Sequence, residues 1–423
     1  MLIERFIGHI ARKKNTSYLQ FSPSASTSLP AGQGRVPLLM YVHVPFCEEL
    51  CPYCSFNRIV FQENLARSYF QALRTEVEMY KRQGYDFAAV YVGGGTPTLL
   101  MDELTVTLQL IKRLFPIKEI SVETNPNHLT PSHFKALQEV GVNRLSVGVQ
   151  TLDDTLLKAI GRYHKYGSAA EIIGRLRSAQ GQFDTLNVDM MFNFPTQTRE
   201  GLERDVATLM GLGVDQITYY PLMASEYTRE VMSRKVGIVD DRNEKVFYNT
   251  ISRLLSTEYS LSTAWCFSRN DAMIDEYVVN FEEYAGLGSG SIGYLDGTVY
   301  ANTFDIPDYI RRIQNGSFPL VAKKVCPPKE RLRYDFLMKL FGLELDLKAL
   351  TKKNGVSAYR YLWPEILFFR LTGALTKQGD KLLLTEKGRY YWVVMMREFF
   401  IGVNNFRDYC RSKIGASSAS TVL

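Results

Sequence analysis

Three of the six cysteines in this 423-residue chain fall within eight residues, as Cys47, Cys51 and Cys54 in YVHVPFCEELCPYCSF. The spacing is C-x3-C-x2-C. Thiolates are soft ligands that suit iron–sulfur clusters and zinc. A [4Fe–4S] cluster held by four cysteines is complete and passes electrons; one held by three leaves an iron open to a substrate or cofactor. A zinc site wants a fourth ligand close by, and none is at hand: His43 lies on the preceding apolar run and Cys266 is more than 200 residues away. The bland alternative is three unrelated buried cysteines, since free cysteine is often buried. Their crowding speaks against it.

The cysteines follow LLMYVHV (38–44), which reads as a buried strand with the thiols on a loop at its C-terminal end. Similar short apolar runs recur at 88–94, 120–124, 144–149, 186–192 and 216–222. Amphipathic stretches separate them: Leu65–Arg82, Met101–Leu114, Pro131–Val140, Ala169–Ala179 and Glu200–Leu212. This is a βα repeat with a parallel sheet. A Rossmann sheet and a partial barrel both fit, and either binds ligands at the C-terminal ends of its strands. Residues 1–36 end in a Ser/Pro/Gly-rich run that reads as a linker or loose arm. Residues 37–225 carry the repeat. Residues 226–325 are less regular: a helical pattern (Asp241–Leu255), a strand-poor stretch, then GLGSGSIG (286–293). Residues 326–423 read as helices over Lys329–Phe341, Leu347–Asn354 and Tyr361–Thr372, then a hairpin turning at Gln378-Gly379-Asp380. Helices followed by a small basic hairpin resemble a winged helix.

Other candidate residues sit at strand ends. Gly93-Gly94-Gly95-Thr96-Pro97-Thr98 follows the second strand. Its glycines permit close approach to a ligand and positive φ, though a plain tight turn reads the same way. It is not G-x-G-x-x-G, which disfavours a dinucleotide site. Glu123 ends the third strand, where a carboxylate could bind an amino group or ribose hydroxyls, or act as a cap. Gln150 ends the fourth strand and Arg162 follows. Asp189 lies inside the apolar fifth strand, where a charge is costly unless paired; on physical grounds it is the strongest of these. GLGSGSIG reads as an ordinary flexible loop, and Cys266 as a thiolate or a small core residue.

Length allows two or three domains. A composition 46% hydrophobic and 22% charged is that of a soluble globular protein. The net charge of +6 fits anionic small molecules or a weakly basic surface and does not demand nucleic acid. The 25 tyrosines and 24 phenylalanines read as core. Six cysteines are too few for a disulfide scaffold, and a thiolate cluster needs a reducing compartment, so the expectation is a cytoplasmic protein. MLIERFIGHIARKK lacks the h-region of a signal peptide, and no stretch of about 20 apolar residues predicts a membrane span.

The cysteine spacing, with an aromatic before the third cysteine, resembles the signature of the radical S-adenosylmethionine (SAM) enzymes. The wider YVHVPFC…CPYC is similar to the oxygen-independent coproporphyrinogen III oxidases and their relatives, the haem chaperones. The resemblance spans roughly 38–400 with its motifs in family order. It implies a partial (β/α)6 barrel with a C-terminal winged-helix-like α+β domain that covers the active site. It implies a [4Fe–4S] cluster on the three cysteines and one or two SAM molecules. Gly94, Gly95 and Thr96 would hold the methionine amino group and Glu123 the first SAM. Gln150, Arg162 and Asp189 would contact a second. Tyr41, Tyr53, Met223 and Ile292 match further SAM contacts, Met223 in position only, and GLGSGSIG resembles the family's glycine-rich segment near the adenosine. The implied partners are a tetrapyrrole substrate or haem, and an electron donor such as flavodoxin or ferredoxin.

Two departures matter. The oxidases carry a fourth cysteine two residues after the third; here that residue is Phe56, an aromatic as in the chaperones. The chaperones carry an HN…YW segment after the barrel; here TAWCFSRNDAMIDEYVVNF holds no histidine, and none occurs after His164. Three readings follow: an enzyme resembling the coproporphyrinogen oxidases, a haem chaperone, or a radical SAM enzyme or methyltransferase acting on another substrate.

Overall fold

The computed structural model describes residues 2–18, 22–23, 29, 38–270, 279, 281 and 283–414. Helix α1 (Leu2–Tyr18) precedes the repeat, which begins with β1 (Leu38–Val44). Then follow α2 (Glu63–Arg82), β2 (Phe87–Gly94), α3 (Met101–Leu114), β3 (Glu119–Thr124), α4 (Pro131–Glu139), β4 (Arg144–Gln150), α5 (Ala169–Ala179), β5 (Thr185–Phe192), α6 (Arg199–Leu212) and β6 (Gln216–Pro221). The six strands are parallel and lie side by side in chain order. A Rossmann sheet reverses its order at a switch point; these six strands have none, which fits the partial barrel. Every residue of β1 is buried, as expected of a strand covered on both faces.

Local signals set the helices. In α2, Tyr69, Leu73, Glu76 and Tyr80 recur on the buried side at helical spacing. Ser168 and Glu171 form a reciprocal capping box at α5. Thr198 caps α6, and Gly213 ends it in the left-handed region.

The region expected to be poor in strands differs from that reading. After α7 (Glu244–Leu255), the strand β7 (Cys266–Ser268) pairs antiparallel with β6. On the far edge, β8 (Tyr284–Leu287) runs parallel to β1. Strands β9 (Ile292–Leu295), β10 (Thr298–Asn302) and β11 (Leu320–Val325) continue antiparallel. These strands are short and broken by glycine, which hides them from a propensity reading. The glycines serve packing: a Cβ on Gly293 would lie 2.2 Å from Tyr300 Cζ.

The C-terminal region contains α8 (Pro328–Phe341), β12 (Glu344–Asp346), α9 (Leu347–Asn354), α10 (Ala358–Leu371), β13 (Leu375–Gln378), β14 (Lys381–Leu384) and α11 (Glu386–Ile414). The strand order β12-β14-β13, with a turn at Gly379-Asp380, gives the winged-helix-like hairpin. The amino-terminal segment is not loose over its first part. Helix α1 lies along α11, where Arg12 Nε donates to Glu398 Oε2 at 2.9 Å, and Arg397 joins Glu398 to Glu244 on α7. Most of the Ser/Pro/Gly run, and residues 271–278 of the histidine-free stretch, lie outside the described residues.

Candidate active site

The cysteine loop leaves the C-terminal end of β1. Phe46–Cys47 pairs with Ile59–Val60 to close its neck. Within the loop, Cys54 N donates to Cys51 O at 3.3 Å, and Arg58 Nη2 donates to the same carbonyl at 2.6 Å. All six cysteines are free thiols. Cys47 is buried, and burial pushes its thiol up to about 12. A thiolate there needs a cation to stabilise it, which is what a bound metal provides.

The loop is ringed by cations. Arg162 Nη1 lies 3.7 Å from Cys51 Sγ and 3.1 Å from Tyr53 Oη, while its Nη2 donates to Asn125 Oδ1 at 3.0 Å and to Gly148 O. Lys165 Nζ is 3.7 Å from Glu48, with only 5% of its side chain exposed. Both Arg162 and Lys165 sit against one face-bearing ring, that of Tyr166, at 4.0 and 4.5 Å. Arg58 Nε, Arg162 Nε and Lys165 Nζ are buried without a hydrogen-bond acceptor. Buried donors normally find partners, and like charges repel in a desolvated site. Three such groups beside three thiols fit an anionic thiolate-ligated cluster. Burial lowers the Lys165 pKa, and Cys51, Cys47 and Glu48 oppose that shift.

Glu48 is gripped from the barrel: Asn127 Nδ2 donates to it at 3.1 Å, and His128 Nε2 is 3.8 Å away. The glycine segment packs directly on the cysteine strand. Gly95 N donates to Val44 O at 2.8 Å and Thr96 N to Phe46 O at 2.7 Å, and Gly94 N donates to Glu123 Oε2 at 3.0 Å. With these N–H groups engaged, a ligand amino group here would meet carbonyls and Glu123. Close approach explains the glycines: a Cβ on Gly95 would be 2.5 Å from Phe46 O, and one on Gly93 would be 2.6 Å from Glu123 Oε1.

The remaining expected residues divide. Glu123 also accepts from Tyr91 Oη at 2.8 Å. Asp189 accepts from Ser146 Oγ at 2.7 Å and Asn187 Nδ2 at 2.8 Å, the pairing its place in the strand demanded. Gln150 ends β4 at φ +76°. Gly148 pairs with Asp189, and Gln150 with Met190; Arg162 reaches the Gly148 carbonyl. So Gln150, Arg162 and Asp189 gather around Gly148. Tyr53 is buried, its ring edge-on to Phe194 at 5.6 Å. Tyr41 Oη donates to His43 Nδ1 at 2.9 Å, because His43 Nε2 must carry the proton it gives to Asn57 O. Burial holds His43 down to about 4.

Met223 and Ile292 belong to the seam with α11. Met223 O accepts from Asn404 Nδ2 at 2.7 Å, and Ile292 and Phe406 pack against one cluster, that of Ala301, Phe304 and Ala322. The glycine-rich loop is a packing device around Glu76. Gly288 N donates to Glu76 at 2.8 Å, Tyr309 Oη at 2.6 Å and Asn302 Nδ2 at 3.2 Å. Cys266 is fully buried and accepts from Thr218 Oγ1 at 3.6 Å, which makes it a core thiol.

Sequence reasoning missed Arg58, Lys165, Glu76 and the α11 residues Asn404, Arg407 and Arg411. Glu76 was legible as an acid on the buried side of α2. The others are ordinary surface-type residues until the fold is known.

The radical SAM superfamily model matches residues 41–209. The heme chaperone HemW of Bacillus subtilis is 30% identical over 374 residues, covering 82% of this chain and 95% of that protein. An oxygen-independent coproporphyrinogen III oxidase of Cereibacter sphaeroides is 28% identical over 387 residues, covering 84% and 82%. The solved coproporphyrinogen III oxidase HemN of Escherichia coli shares the fold, with a TM-score of 0.74 at 22% identity over 91% of this chain and 98% of that one. The chain therefore belongs to the radical SAM superfamily, in the family that holds the heme chaperones and the oxygen-independent coproporphyrinogen III oxidases.

Proposed function

We propose that this chain is a radical SAM enzyme that takes a tetrapyrrole, with Cys47, Cys51 and Cys54 holding a [4Fe–4S] cluster. The observation that carries this is the three-thiol loop ringed by Arg58, Arg162 and Lys165, each with a buried nitrogen that lacks a hydrogen-bond acceptor. When bound, the cluster supplies the electron that splits SAM into methionine and a 5′-deoxyadenosyl radical. The protein's part is placement, electrostatics and exclusion of water. Glu123 and the Gly94–Thr96 carbonyls receive the amino group of the first SAM. Gln150, Arg162 and Asp189, gathered at Gly148, receive a second. Tyr53 and Phe194 belong to the buried apolar cluster on which Cys51 and Cys54 pack, and keep water from that side of the loop. The electron donor is a small redox protein such as flavodoxin or ferredoxin, in the cytoplasm.

The reaction we assign is oxidase-like: hydrogen is taken from a propionate of coproporphyrinogen III, carbon dioxide leaves, one electron passes to an acceptor, and a vinyl group remains. A second reading is favoured by Phe56, which stands where the oxidases have a fourth cysteine: a haem carrier like the chaperone relatives.

The test is an anaerobic assay of reconstituted protein with SAM and reductant, with and without coproporphyrinogen III, following 5′-deoxyadenosine and porphyrin masses. Decarboxylated product in step with 5′-deoxyadenosine is expected. Haem retained with no turnover would move the assignment to the carrier. SAM cleavage indifferent to tetrapyrrole would move it to another substrate, methyl transfer included.

A further inference from the structure

Helix α10 turns large apolar side chains outward. Tyr359, Trp363, Leu367 and Leu371 recur every fourth residue and are 50%, 54%, 46% and 79% exposed. At 3.6 residues per turn they drift by about 40° per step, so they form one stripe roughly 18 Å long. The core does not need them, because Ala358, Leu362, Ile366 and Phe369 are the buried side of the same helix. Helix α1 widens the stripe: the Phe6 ring lies 6.0 Å from that of Phe368, and Phe6 and Ile3 are 53% and 38% exposed. Scattered apolar residues on a surface are ordinary; a contiguous patch marks a contact.

Charge says what the contact is. Among the described side chains of α1 and α10, the exposed charged residues are Arg5, Arg12, Lys13, Arg360 and Arg370, all basic, with Arg12 paired to Glu398. The two glutamates are held elsewhere, Glu4 by Lys245 at 2.6 Å and Glu365 by Arg333 at 2.8 Å. By helical angle and rise Arg360 lies beside the Tyr359 end of the stripe and Arg370 beside the Leu371 end, each about a quarter turn from it and on opposite sides, so the guanidiniums flank the stripe. Lys377 Nζ stands 5.1 Å from the Tyr359 ring. A second copy meeting this face about a two-fold axis would bring arginines against arginines. Aromatic and leucine side chains flanked by cations, with no exposed acid among the described side chains of α1 and α10, match the boundary of an anionic bilayer.

We propose that the α1–α10 face docks this protein on an anionic phospholipid surface. The attachment is peripheral: among the described residues no helix is long and apolar enough to cross a membrane. It is independent of the reaction at the cysteine loop.

The protein carries its own reporter. Of its three tryptophans, Trp265 and Trp392 are fully buried and Trp363 lies in the stripe. The experiment sediments the full chain with vesicles of phosphatidylcholine alone or mixed with phosphatidylglycerol, and records tryptophan emission. Expected are sedimentation with the phosphatidylglycerol vesicles, release by salt, and a blue shift that vanishes in Trp363→Phe. Leu371→Glu should weaken partitioning by roughly a hundredfold, and Arg360→Gln or Arg370→Gln by about fivefold each. Leu371→Ala serves as a milder variant, with thermal melts checking the fold. Protein left in the supernatant with phosphatidylglycerol vesicles would overturn the proposal. So would sedimentation with unchanged emission, or Leu371→Glu sedimenting like the parent. A dimer by light scattering that Leu371→Glu dissolves, with no vesicle binding, would overturn it in favour of a protein interface.

Discussion

The guanidinium carbon of Arg407 sits 4.8 Å from the centre of the Phe56 ring. Arg411, one turn on, donates to Phe56 O at 2.8 Å. The last helix thus reaches back to the cysteine loop, and it grips Phe56, two residues beyond the third cysteine of that loop. Nearby, Asn405 Oδ1 accepts from Glu226 N at 2.9 Å, so α11 ties the loop to the segment after β6.

That contact should be measurable as a coupling. In a double-mutant cycle of Phe56→Leu and Arg407→Leu, read by denaturant unfolding, an interaction energy of about 0.5–1 kcal/mol is expected. Additive single effects would mean that the two groups are neighbours without a bond.

Lys165 should raise the reduction potential of the bound cluster, since a buried cation favours the more negative, reduced form. Lys165→Met should shift the one-electron equilibrium towards the oxidised cluster by about tenfold, or roughly 59 mV, in a redox titration followed by electron paramagnetic resonance. Lys165→Arg should stay near the parent. Equal midpoints for the Met and Arg variants would contradict this.

Glu76 supplies a pH dependence of stability. Burial raises its carboxyl from 4.5 to about 7, although Tyr309, Gly288 and Asn302 donate to it. A raised folded pKa means that the native state holds a proton the unfolded chain has lost. The stabilisation is full below about pH 4.5 and fades as pH rises to about 7. Glu76→Gln cannot titrate, so its melting temperature should fall less than the parent's between these limits. Parallel curves for the two proteins would assign the dependence to other groups, such as the buried Asp205, which is likewise raised, to about 6.

The barrel was legible because its signals are local: apolar runs at a steady interval, and caps such as Ser168–Glu171. The cysteine loop was legible because ligand spacing is itself sequence. Asp189 was singled out by the cost of a charge in a strand, and its two hydrogen bonds answer that cost. What stayed hidden depends on long-range packing. Lys165 becomes notable only once Glu48 lies beside it, and Arg407 once α11 has crossed to Phe56. The packing of the glycine-rich loop was hidden for the same reason: at Gly286, Gly288 and Gly293 neighbouring atoms leave no room for a Cβ, which glycine composition alone does not disclose.

The most direct measurement compares the parent with Cys51→Ala after anaerobic reconstitution, scoring iron and sulfide content, cluster absorbance and 5′-deoxyadenosine formed from SAM and reductant. The parent should carry the cluster and cleave SAM, and Cys51→Ala should lose both while melting within a few degrees of the parent. A Cys51→Ala protein that keeps its cluster and cleaves SAM would contradict the assignment of the three cysteines.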